Sequence, residues 1–153
     1  MSVITKDAVT TFITNAVQGR DACFQLLDKE TDKDVIAKAV TDWWTTYMAP
    51  DTDDDEKTCM MRPSGNPLYC EEYVQMHTSG LIKNSSAKLV SMDHIRIMAG
   101  GQAAVVSVVE DQIFTYQGTP NEDRATVTFV LELLDGKLKI VHGHRGAGNP
   151  IPK

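Results

Sequence analysis

The chain has 153 residues, 42% of them apolar, which bounds it to one domain able to bury a single core without covalent staples. A formal net charge of −6 excludes the Lys/Arg-rich surface on which nucleic acids or anionic membranes are held, so neither is expected as a partner. Apolar runs stay short of the ~18 residues of a membrane helix, the opening Met1–Asp7 has no secretory h-region, and Cys23, Cys59 and Cys70 have no disulfide or zinc spacing; a soluble, reducing, cytoplasmic setting is expected.

Before Pro50 the apolar residues recur at helical spacing. Val9, Phe12, Ile13, Ala16 and Val17 form one stripe, with Thr5 as its N-cap. Gly19 is expected to interrupt it, leaving Ala22-Cys23 and Leu26-Leu27 to a second short helix. A third helix starts at Thr31 or Asp32 and runs to Met48 along Val35, Ile36, Ala39, Val40, Trp43, Trp44 and Tyr47, and Pro50 ends it. Residues 51–56 read as a solvated acidic loop, and 58–62 as a short strand stopped by the turn formers of residues 63–67. Residues 71–81 read as a fourth helix with Tyr73, Val74, Met76, His77 and Leu81 inward. From Ala87 the period becomes two. Strands are expected over 88–98, 103–116, 124–134 and 137–144, joined by Gly100-Gly101, a loop at 118–121 and an Asp135-Gly136 hairpin turn. Helices followed by an antiparallel meander make an α+β fold, a curved sheet wrapped on helices as a cone with a hydrophobic mouth. The run Ala103–Val109 is apolar nearly throughout, so both its faces should be covered, one by helices and one by a second copy of the chain. A charge at Val106 or Val108 is then expected to break the assembly or the fold.

The order of helices, Arg62-Pro63-Ser64-Gly65-Asn66-Pro67, helix and four long strands resembles the nuclear transport factor 2-like (SnoaL-like) superfamily. Residues 103–152 resemble more specifically the association (hub) domain of calcium/calmodulin-dependent protein kinase II. There Asp135-Gly136-Lys137, then Val141-His142-Gly143-His144-Arg145 and a Gly/Pro tail, match the final hairpin. The resemblance implies one cone-shaped domain over residues 1–153, a pocket between helices and sheet, and homodimers or larger rings. The hub pocket resembles an arginine-lined anion site. Arg145 corresponds to one of its arginines, while the other two fall on Phe129 and Glu110. Iota-class carbonic anhydrases share the fold, but Gly143 interrupts their consecutive histidines and Arg145-Gly146 stands where their serines would be.

His142 and His144 lie two apart on a strand and share a face, as do His94 and Arg96. With no third ligand at diagnostic spacing, no metal is expected there. Asp51, Asp53 and Asp55 imitate an EF-hand start, but Glu56 and Arg62 stand at its glycine and bidentate-glutamate positions, so calcium is not expected either. Superfamily enzymes imply cofactor-free lyase or isomerase chemistry on a pocket base. The catalytic candidates are His142, His144 and Glu110, with Tyr47 and His77 as further bases. Glu110 follows eight uncharged residues and should be paired if buried, with Arg145 or His142 as partner; the alternative is a solvent-facing strand edge. Ligand-binding candidates are Arg145, Arg96, Trp44, Tyr47, Tyr73 and His77, and Trp43, Met48, Met60, Met61 and Met76 extend the apolar lining. The expected function is binding of a small organic anion through Arg145, without a cofactor. An assembly module like the hub domain and a metal-free carbonic anhydrase are the alternatives.

Overall fold

The computed structural model describes residues 1–53 and 56–153, and of residues 84 and 85 the backbone alone. The described residues form three α-helices and one seven-stranded sheet. Thr5 caps α1 (Lys6–Leu27), its side chain accepting from Ala8 N at 3.1 Å, and Asp32 caps α2 (Lys33–Tyr47) through Asp34 N at 2.9 Å. Strands β1 (Cys59–Met61) and β2 (Pro67–Leu68) precede α3 (Cys70–Thr78). The meander follows as β3 (Ile82–Met98), β4 (Ala103–Tyr116), β5 (Thr119–Leu134) and β6 (Lys137–Arg145), and β7 (Asn149–Pro150) pairs back onto β5.

Gly19 does not break the first helix. α1 runs through it for 22 residues, so the two expected short helices are one. A Cβ at Gly19 would stand 3.1 Å from the Tyr47 hydroxyl and 3.2 Å from its ring, so glycine lets α2 approach α1. The meander also differs at one turn. Gln117 (φ 49°) and Gly118 (φ 80°) close a two-residue hairpin, so β5 starts at Thr119 rather than after a loop. Asp135 (φ 52°) and Gly136 (φ 76°) form the expected one. In the acidic loop Asp54 and Asp55 lie outside the described residues; beside them Asp53 Oδ1 accepts from Glu56 N at 3.0 Å.

The sheet order is β2-β1-β6-β5-β4-β3, antiparallel except where β1 runs parallel to β6. Register shifts at 84/86, 89/91 and 92/94 bend β3, and this curls the sheet into a half-barrel around α1. The core lies in its concavity, where Val9, Ile13 and Val17 of α1 meet Val106, Val108, Val127, Phe129 and Ile140. Lys139 Nζ donates to the Thr45 and Thr46 carbonyls at 3.0 and 2.7 Å, satisfying the end of α2 and tying it to the sheet.

On β4, burial alternates. Ala104, Val106, Val108 and Glu110 are buried, whereas Val105, Ser107 and Val109 are half-exposed on the outer face. The single chain therefore covers one face of this strand, not both. A charge at Val106 or Val108 tests the core, and the substitutions that test the outer face are at Val105 and Val109.

Candidate functional site

A cavity of about 510 Å³ opens between helices and sheet at the wide end of the cone. Its aromatic wall comes from Phe24, Trp43, Trp44, Tyr73, Phe114 and Tyr116. Met60, Met61 and Met76 add adaptable apolar surface, and Arg62, Pro63 and Ser64 of the β1–β2 turn form the rim. Three polar side chains interrupt this lining: Arg20 of α1, Gln112 of β4 and Arg145 of β6.

Glu110 lies beneath them, 1% exposed, inward and not at a solvent-facing strand edge. Its partner is neither Arg145 nor His142 but Arg20, whose Nη2 donates to Glu110 Oε1. The same oxygen accepts from Gln112 Nε2 at 2.9 Å. Arg20, 8% exposed, spreads its guanidinium near the rings of Phe24 (5.6 Å) and Trp43 (5.8 Å). Among the described residues, the Arg20–Glu110 pair leaves Arg20 Nε and Glu110 Oε2 buried without a partner, whereas Arg145 has no carboxylate at all. Its Nε and Nη2 are both buried with no protein partner, and its guanidinium carbon lies 6.0 Å from the Phe114 ring centroid. Burial pushes its pKa down from the ordinary value, and Glu110 and Asp123 pull the other way. Burial raises the Tyr73 phenol well above its usual range, so it stays protonated and uncharged.

The other candidates stand elsewhere. His142 and His144 are on the outer face of β6, His142 Nδ1 3.7 Å from Cys59 Sγ and His144 exposed. The cause is a bulge. Leu131 pairs with Ile140 and Val130 with His142, so Val141 is skipped and the phase of β6 inverts. Gly143 and Arg145 turn inward as a result. A Cβ on Gly143 would collide with Met60 Sδ, so this glycine makes room for Met60 in the lining. Arg96 and His94 line a separate hollow of about 540 Å³ on the outer face with Val105 and Ser107. Tyr47 packs edge-on to Phe12 at 5.8 Å, away from the cavity. Among the described residues no three His, Cys, Asp or Glu gather as a metal-binding group. The cysteines are free thiols whose pKa values are raised by burial, that of Cys23 to about 11.

His77 is buried on α3 behind the cavity wall, its ring 4.7 Å from that of Tyr73 and its Nδ1 2.7 Å from the Tyr73 carbonyl oxygen. That oxygen can only accept, so Nδ1 carries the proton. Burial lowers the His77 pKa below 6.5, against the pull of that hydrogen bond. Below 6.5 the unfolded chain therefore binds the proton more readily than the folded one. Stability from this source is fully present above 6.5 and is lost as pH falls toward the folded value. His77→Gln, which retains an amide donor, is expected to flatten this acid limb in urea unfolding followed between about pH 5 and about pH 7. An unchanged slope would assign it to the carboxylates.

Sequence reasoning missed Arg20, Gln112 and Phe114. The signal for Arg20 was present: Val9, Ile13, Val17, Arg20 and Phe24 continue one stripe once α1 runs through Gly19.

Known structures share this fold. An NTF2-like protein from Prochlorococcus sp. NATL2A is 22% identical, with 99% of this chain and 97% of that one covered and a TM-score of 0.68. A putative Ca/calmodulin-dependent kinase II association domain from Exiguobacterium sibiricum is 12% identical over 97% and 99% of the chains, with a TM-score of 0.65. The association domain of C. elegans CaMKII is 15% identical over 92% and 91%, with a TM-score of 0.50. The fold is NTF2-like. No curated protein matches the chain by sequence. Residues 28–150 match the family described as "Protein of unknown function (DUF3804)", and the chain belongs to that family.

Proposed function

We propose that this member of the DUF3804 family is a small-molecule-binding protein whose cone takes a small organic anion with an apolar body. The observation that carries this reading is the pair of unpartnered, buried donors on Arg145 beside a largely apolar cavity. A planar guanidinium matches a carboxylate with two parallel hydrogen bonds, and burial strengthens each of them. Trp43, Trp44 and Phe114 then supply flat apolar surface for the rest of the ligand. Within this reading Glu110 positions Arg20 and Gln112 rather than meeting the ligand itself. Calorimetric titration with benzoate, phenylacetate and 3-phenylpropanoate, each against its primary amide, tests it. An acid should bind at least tenfold more tightly than its amide, a difference of about 1.4 kcal/mol. Equal affinity, or no binding by any acid, would refute the reading.

Self-association is a second reading, favoured by the half-exposed valines 105 and 109 on the outer face of the sheet. The likeness to a putative kinase association domain supports it. Light scattering should give a dimer or a ring; a lone dimer fits a pocket protein and a closed ring an assembly module. Val105→Asp or Val109→Asp should yield a folded protein of lower mass. A monomeric wild type would end this second reading and leave the first untouched.

A further inference from the structure

We infer that the cone selects acids carrying a single negative charge, and that Glu110 is the residue that sets this selectivity. The inference rests on the ligand reading above. Two guanidinium groups stand at the inner end of the cavity, Arg20 from α1 and Arg145 from β6. Unopposed, they would present two positive charges and suit a dicarboxylate. Glu110 removes one of them. Its Oε1 takes the Arg20 Nη2 donor, and both residues are more than nine-tenths buried, so the pair is a neutral unit inside the protein. Gln112, which donates to the same oxygen, adds no charge.

Arg145 keeps its charge. No carboxylate among the described residues forms an ion pair with it, although Glu110 and Asp123 lie near enough to act on it through space. One elementary charge therefore awaits a ligand, and one carboxylate balances it. A second carboxylate on the same carbon would sit beside Glu110 and against Trp43 and Phe114. It would lose its hydration without gaining a cation. Arg62 keeps its own charge, but it stands at the partly exposed rim, where solvent screens it, with its Nε donating to the Asn66 carbonyl at 3.2 Å. Phenylacetate and phenylmalonate form a matched pair, differing by one carboxylate on one carbon.

Both acids are titrated calorimetrically, near neutral pH, into the wild type, Glu110→Gln and the double variant Arg20→Gln/Glu110→Gln. The wild type should bind phenylacetate at least tenfold more tightly than phenylmalonate. Glu110→Gln frees Arg20 and should reverse the preference, and the double variant, with both charges gone, should restore it. Should Glu110→Gln fail to fold, Gln112→Lys, which keeps a donor to Glu110 and adds one positive charge to the lining, should move the preference toward phenylmalonate, and an unchanged preference there overturns charge selection. Equal binding of the two acids by the wild type, or an unchanged preference in folded Glu110→Gln, overturns charge selection while leaving the ligand reading intact. A wild type that binds neither acid, nor any acid of the panel above, overturns both.

Discussion

Glu110→Ala is expected to cost about 3–5 kcal/mol of stability, the range for breaking a buried ion pair by removing one partner. The variant leaves the Arg20 guanidinium, 8% exposed, without the carboxylate that balances it. Gln112 Nε2 loses its acceptor as well. A surface glutamate would change stability by only about 0.5 kcal/mol in either direction, so the outcomes are well separated. Replacing the whole pair with apolar side chains, Arg20→Met with Glu110→Leu, should recover most of the loss, since a buried pair and a packed apolar one are often close in stability. Urea unfolding of the three variants measures this. A loss below about 1 kcal/mol for Glu110→Ala would mean that the carboxylate is not balancing a buried charge.

Arg145→Ala should do the opposite, abolishing acid binding while leaving the fold nearly as stable. Two charge-assisted hydrogen bonds to a carboxylate are worth about 1.5–3 kcal/mol each, so affinity should fall by about a hundredfold or more. Stability should change little, because Arg145 Nε and Nη2 have no protein partners to lose and their burial is itself unfavourable. Had Arg145 been the partner of Glu110, the same substitution would have stranded a buried carboxylate. Thermal unfolding and titration of one variant separate the two cases. A melting temperature many degrees lower would assign Arg145 a structural role.

The change from helical period to period two after Pro50, the Thr5 cap and the Asp135-Gly136 turn are local signals, and the α+β cone was legible from them. The readings that failed depended on partners distant in sequence. Gly19 looks like a helix breaker because glycine is a poor helix former, but its reason is the Tyr47 ring, 28 positions along the chain. Breaking the helix there hid Arg20, whose place on the stripe requires an unbroken count from Val9. That Glu110 needs a partner if buried was readable from the uncharged run before it. Which residue serves, 90 positions away, was not. The β6 histidines share a face as their spacing says, but counting by twos from Leu138 and Ile140 would point both inward. A bulge at Val141, invisible to periodicity, turns them out and turns Arg145 in.

In the proposed mode of binding, Arg145 receives the acid while Arg20 remains committed to Glu110. Isotope labelling of the arginines makes their Nε–H resonances separately visible during titration with 3-phenylpropanoate. A saturable shift of the Arg145 resonance is expected, with that of Arg20 nearly fixed. Saturation that moves Arg20 and leaves Arg145 in place, or a titration that moves neither, would overturn this mode of binding.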